Sequence, residues 1–355
     1  MADVNIFSER ETMRSAAEFI RRQREALAEE LAVEQLLPAS QQEPGPIVED
    51  APVRLACLAE ALAYDAPELF RDYVAWNKVA AMARGVPVAV LTGKLKRLEQ
   101  FVAQKLPAGE GVRAREIVAG TLRDFASFPV DPPSHLDDEA PLAELARNFL
   151  TTLIDSGRAE AGSLLFSAAK SGVAPPMIYG HVLRPCLEEI GRLWQTARIN
   201  VAQEHYCAQS IETIMAMIAS LFDPVRKRRV FAGFCVANEQ HELGIRMLGD
   251  YFAIEGWDVV HLGANVPTDN VASILASWKP DVVGLSATMV YNLPEVEAVV
   301  KAVRESVELK QPKILVGGRP FRLSPGLWKK LGADGSAYEP EEVLALVTGE
   351  AAGAR

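Results

Sequence analysis

The chain has 355 residues, enough for two or three domains with separate cores. Its 49% hydrophobic content is that of an ordinary globular protein, and a formal net charge of −10 excludes a general attraction to nucleic acid or anionic membrane. No run approaches ~18 uninterrupted apolar residues, and residues 1–9 lack the apolar core of a signal peptide. Cys57, Cys186, Cys207 and Cys235 show no CxxC spacing, so the sequence reads as a reduced, cytoplasmic chain without structural disulfides or a zinc knuckle.

Residues 8–36 carry a charge-rich helical pattern dominated by Ala, Glu, Arg and Leu. Four prolines over 37–52 then mark a linker. A helical block follows over 53–128. In it Leu55, Leu58 and Leu62 recur at helical spacing, then Leu69, Phe70, Tyr73 and Trp76, and Gly85 before Val86-Pro87 is a helix stop. Phe128-Pro129 and Pro132-Pro133 break the chain again.

A second helical block covers 141–222. Leu142, Leu145, Phe149 and Leu153 form one stripe, ended by Gly157, and residues 159–170 make a second helix, ended by Gly172. Pro175-Pro176 opens a third, with Ile178, Leu183, Leu187, Ile190 and Trp194 on its stripe. Asn200 is placed to cap a fourth, with Gln203 as the reciprocal capping-box residue. Four helices with short connections predict a four-helix bundle.

Arg226-Lys227-Arg228-Arg229, the basic run of the chain, reads as a solvated linker. From there the pattern changes. Strand-like runs over 230–236, 258–262, 281–286 and 313–316 alternate with helical patterns over 242–254, 269–278, 294–307 and 341–347. This predicts a flavodoxin-like doubly wound parallel sheet, whose ligands bind at the carboxyl ends of its strands. The expected class is α plus α/β in four parts: an N-terminal helix and linker (1–52), a helical domain (53–135), the bundle (136–225) and the sheet domain (226–355).

His241 falls after the first strand. A neutral imidazole there can donate a nitrogen lone pair to a metal, and Glu239 can hold the other ring N–H. One histidine makes a poor protein-only metal site, because such sites need three or four ligands. Either His241 is a surface or capping residue, or it serves a cofactor that brings most of its own coordination sphere.

The spacing bears on that choice. Glu239-x-His241-x-x-Gly244 is followed after forty-one residues by Ser286-Ala287-Thr288, and after twenty-eight more by Gly317-Gly318. This set resembles the signature of cobalamin-binding domains of the methionine-synthase type over 230–347. The resemblance implies base-off cobalamin, with His241 as lower axial cobalt ligand and Glu239 as its hydrogen-bond partner. Ser286 would meet the tail nitrogen, Thr288 completes the S-x-T element, and Gly317 and Gly318 would leave the tail slot open.

Upstream, Trp194, nine residues, then Glu204-His205 resembles the motif of B12-dependent photoreceptors, best known in MerR-type regulators that hold adenosylcobalamin in the dark. That resemblance implies that Trp194 shields the upper axial group, Glu204 hydrogen-bonds the adenosyl moiety, and His205 takes the upper position once light breaks the cobalt–carbon bond. Without the downstream signature, Trp194 would read as core and the Glu-His pair as solvated.

The segments Leu55 to Leu62 and Leu69 to Trp76 are similar to N-terminal regions of photocobilins, in which cobalamin and biliverdin sit close together. Phe70, Tyr73 and Trp76 therefore either line a flat tetrapyrrole or pack as core. Residues 1–133 lack the basic recognition helix of the MerR-type regulators, so direct DNA binding is not carried over. The expected function is a non-catalytic, cobalamin-binding light sensor. It would signal through domain or subunit packing, as a homo-oligomer or to a downstream protein, since no output domain follows the sheet. The alternatives are a corrinoid protein carrying methyl groups for a methyltransferase and a passive cobalamin store.

Overall fold

The computed structural model describes residues 2–33, 51–106, 108–221 and 226–348. Most of the expected linker, 37–50, lies outside them, and residues 51 and 52 instead begin a helix. The chain forms two compact units. The first takes in residues 1–132 together with 289–294 and 323–327, and the second takes in the rest.

The first unit contains α1 (Ala2–Val33), α2 (Ala51–Ala63), α3 (Pro67–Ala83), α4 (Val88–Lys105) and α5 (Ala108–Asp124). Pro67 at the start of α3 has no N–H to lose there, and Gly85 takes φ +84° just past its end, as the sequence leads one to expect. Leu55, Leu58, Leu62, Leu69 and Phe70 form its core. Two of the charges inside this unit have clear partners. Arg21 holds the buried Glu60 in a two-pronged contact, at 2.8 Å and 2.5 Å, and so fastens α1 to α2. Lys78 donates to the carbonyls of Phe125 and Phe128 at 2.9 Å and 2.8 Å, and burial lowers its pKa.

The second unit begins with the bundle: α6 (Ala143–Asp155), α7 (Arg158–Lys170), α8 (Pro175–Ile178), α9 (Arg184–Gln195) and α10 (Val201–Ala219). Leu142 lies outside α6, as its left-handed N-cap at φ +58°. The expected third helix is not continuous. Tyr179–Leu183 forms a π turn between α8 and α9, because Pro185 offers no N–H to the carbonyl four residues back. The fourth helix starts as expected: Gln203 N donates to Asn200 Oδ1 at 2.9 Å while Asn200 N donates to Gln203 Oε1 at 3.0 Å. Phe149, Leu153, Leu165, Ile190, Ile211 and Ile214 fill the space between the helices.

The sheet follows: β1 (Val230–Val236), α11 (Leu243–Ile254), β2 (Asp258–Val266), α12 (Thr268–Trp278), β3 (Val282–Ser286), α13 (Leu293–Glu305), β4 (Lys313–Gly317), α14 (Arg319–Leu323), α15 (Leu327–Lys330), β5 (Gly335–Ser336) and α16 (Pro340–Thr348). All strand pairs are parallel, in the order β2-β1-β3-β4-β5. This is the doubly wound flavodoxin-like arrangement. β2 runs four residues beyond the expected end, and its register against β1 shifts twice. The Phe231 ring lies across Gly233 and Gly284, where an added Cβ would come within 2.7 Å of it, and stacks on Phe252 at 4.4 Å.

Polar contacts fasten the bundle to the sheet domain. The Tyr179 hydroxyl lies 3.2 Å from Met215 O and 3.0 Å from Asp250 Oδ2, and burial raises the pKa of both side chains. Arg246 pairs with Glu212 at 2.6 Å, while Met247 of α11 joins the bundle core. Among the described residues no helix is long and apolar enough to cross a membrane.

The capping box gives a direct test of the bundle. Asn200→Ala leaves the first turn of α10 without its side-chain acceptor and should lower stability by about 0.5–2 kcal/mol in urea unfolding. An unchanged midpoint would show that tertiary packing alone holds this turn.

Candidate functional site

In the order 2-1-3-4-5 the strand order reverses between β1 and β3, and ligands bind such sheets at that point, beyond the carboxyl ends of the strands. Glu239 and His241 lie in the loop after β1. Ser286 ends β3, with Thr288 just past it, and Gly317 ends β4. Three of the expected elements therefore meet on one rim.

Glu239 is fully buried. Its Oε1 accepts the backbone N–H of His241 at 3.0 Å and lies 2.5 Å from His241 Nδ1, and its Oε2 accepts Thr288 N–H at 2.7 Å. A carboxylate facing Nδ1 places the ring proton there, which leaves the Nε2 lone pair unused in the neutral imidazole. The His241 side chain is 60% exposed. The hydrogen bond from Glu239 raises the His241 pKa against the opposing effect of burial, and the charges of Glu239 and Glu204 add to the rise.

The loops are knitted by further contacts. Ala287 N donates to Gly317 O at 3.0 Å. Gly318 takes φ +111°, and a Cβ there would stand 2.0 Å from Ala287 O, so only glycine fits this close approach. A Cβ on Gly317 or on Gly244 would meet nothing within 4 Å. For Gly317 that leaves open space above the strand end; for Gly244 the structure gives no steric reason for glycine. Ser286 is buried at the end of β3, opposite Cys235 of β1 in the sheet register.

On the bundle, Trp194 is half-buried against the core near the end of α9. Glu204 and His205 lie in the first turns of α10, where an acidic side chain is favoured by the helix dipole. His205 Nδ1 is 2.6 Å from Glu204 Oε2, and the imidazole is 73% exposed. This repeats the arrangement at the rim: each histidine is held through Nδ1 by a neighbouring carboxylate.

Sequence reasoning missed several supports of this site. Cys235 lies behind the His241 loop, 3.5 Å from His241 O, and burial pushes its thiol up to about 12. Asn238 and Asn265, both in the left-handed region, lock the loop to the end of β2. Asn238 N donates to Asn265 Oδ1 at 2.7 Å, and Asn265 N donates to Glu239 O at 2.9 Å. Glu242 approaches His261 of β2 at 3.5 Å. A cysteine inside an apolar strand and two asparagines far apart in sequence carry no motif, although asparagine's tolerance of positive φ is a signal in retrospect. Among the described residues no three His, Cys, Asp or Glu side chains converge to hold a metal ion. His241 thus offers one nitrogen donor, which suits a metal that arrives with most of its ligands.

Residues 229–347 match the family model described as the B12 binding domain, and residues 145–219 match a second model of the same description. The chain is 26% identical over 198 residues to the HTH-type transcriptional repressor CarH of Myxococcus xanthus, a match covering 55% of this chain and 64% of that protein. It therefore spans less than two thirds of that relative's length. It is 24% identical over 214 residues to dimethylamine corrinoid protein 1 of Methanosarcina acetivorans, covering 59% of this chain and 97% of that protein. The structure of the monomethylamine corrinoid protein of Methanosarcina barkeri aligns with a TM-score of 0.51, at 20% identity, over 58% of this chain and 99% of that one, a likeness of fold alone. Two regions of the chain thus match B12-binding domains, which supports cobalamin binding.

Glu239→Gln tests the rim. The amide puts an NH2 group against one of the N–H donors, at a cost of about 1–3 kcal/mol. The His241 pKa, followed by NMR, should fall toward its ordinary value. In the wild type the raised pKa gives a stabilisation that is full below the unfolded value and lost as pH rises through the folded one; the variant should lose that dependence.

Proposed function

We propose that this chain is a non-catalytic light sensor that holds adenosylcobalamin base-off, with His241 as lower axial ligand. The observation that carries this reading is the repeated Glu–His pairing, at Glu239 with His241 and at Glu204 with His205, each leaving Nε2 available. A methyl carrier needs one such nitrogen; a second, on the bundle, suits ligand exchange at the upper position.

Within this reading each side chain has a task. Glu239 fixes the His241 tautomer and orientation. Gly317 and Gly318 keep the tail slot clear, and the Ser286 hydroxyl meets the tail nitrogen. Trp194 would cover the group carried on cobalt, Glu204 would hydrogen-bond the adenosyl moiety, and His205 would supply a nitrogen donor in its place. Adenosylcobalamin supplies a cobalt–carbon bond that visible light breaks. The Tyr179–Asp250 and Arg246–Glu212 contacts are the joints through which a new bundle position would be passed to a partner or a second copy of the chain.

Biliverdin as a second chromophore rests on the N-terminal sequence similarity alone. There Phe70 is core, whereas Tyr73 and Trp76 are half-buried. A corrinoid methyl carrier is the second reading, favoured by the match along 97% of a dimethylamine corrinoid protein.

Reconstitution with adenosylcobalamin in the dark, followed by green light, separates these readings. The sensor should pass to a stable bis-imidazole absorption spectrum, and His205→Ala should lose that product. His241→Ala should weaken cobalamin uptake by at least the ~10–100-fold typical of losing an outer-shell partner. If illuminated wild type and His205→Ala give the same spectrum, the sensor reading fails, and methyl transfer from methylcobalamin to a thiol acceptor would favour the carrier.

A further inference from the structure

The bundle is fastened to the sheet domain on two sides. On the β1 side the contacts are those of α11 with Tyr179 and Glu212. On the β5 side a second set gathers around Tyr338, which lies two residues past β5 and whose hydroxyl donates to Glu188 Oε1 of α9 at 2.6 Å. The guanidinium groups of Arg184, from α9, and Arg322, from α14, each lie 4.9 Å from the centre of its ring. Arg184 also donates to Glu339 at 2.7 Å, and Arg322 approaches Glu188 at 3.8 Å. Arg184 and Glu188 are one helical turn apart, so a single face of α9 supplies the bundle's half of these contacts.

The two sides differ in kind. Tyr179 is 5% exposed, and Met247 of α11 enters the bundle core. Tyr338 is 43% exposed, and among the described residues that core takes none from β4, α14 or the segment after β5. Parting an apolar contact exposes its surface to water, whereas half-exposed ion pairs and cation–π contacts trade their partners for solvent at little cost. The β5 side is therefore the one that parts first.

We infer that α11 is the hinge of the bundle and that the contacts around Tyr338 are its latch, opening to admit a ligand the size of a corrin between bundle and rim. The entry role rests on the cobalamin reading; the hinge and the latch do not.

Stopped-flow uptake of cyanocobalamin by the full chain, in parallel with hydrogen exchange of the ligand-free chain, provides the test. Tyr338→Ala removes both cation–π contacts and the hydrogen bond to Glu188, and should speed uptake at least about fivefold. Tyr179→Phe, which loses its hydrogen bonds on the hinge side, should leave the uptake rate unchanged. In the ligand-free chain Tyr338→Ala should hasten exchange in residues 184–192 and 319–323 while α11 keeps its protection. Arg184→Met breaks one cation–π contact and the pair with Glu339; it should act in the same direction, and it decides the matter if Tyr338→Ala does not fold. Unchanged exchange in both latch variants, equal acceleration of uptake by Tyr179→Phe, or loss of protection in α11 as large as in α9 would each overturn the assignment. A chain that takes up no cyanocobalamin would fail the cobalamin reading and the entry role with it, and the exchange comparison would still decide between hinge and latch.

Discussion

Glu239 is shut off from water, and its two oxygens meet three N–H donors drawn from two loops. Those bonds join the segment after β1 to the segment after β3 and fix which imidazole nitrogen faces outward. An isolated carboxylate in this position would be costly to bury, so the loops and the charge require one another. The approach of Gly318 to Ala287 and the link from Ala287 to Gly317 extend the same constraint to β4. The rim is a consequence of one satisfied acid.

Much of this was legible in the sequence. The apolar runs of β1 and β3 announced buried strands because both faces are covered, and the Asn200–Gln203 box showed the start of α10 because a cap needs specific atoms at fixed spacing. The Glu-x-His, Ser-x-Thr and Gly-Gly elements were found through the resemblance of their spacing to the cobalamin-binding signature. The π turn was not foreseen, since a proline such as Pro185 can equally kink or end a helix. β5 has two residues and no periodicity to read. Cys235, Asn238 and Asn265 act across tertiary contacts, which no spacing rule records.

The first unit poses a separate problem of charge burial. Its helices carry arginines and lysines into an apolar interior, and most are neutralised by a carboxylate or by helix-end carbonyls. Arg54 Nη1 and Arg97 Nε are buried without a hydrogen-bond partner among the described residues.

The shared geometry of the two Glu–His pairs has an entropic consequence. An imidazole already tethered by its own carboxylate has few rotamers left to lose on taking a metal. If cobalt passes from one coordination state to another by way of these donors, neither side chain must search for its pose, and no proton need leave Nδ1. The exchange would then be governed by bond strengths and by the movement of helices, with side-chain freedom nearly constant throughout.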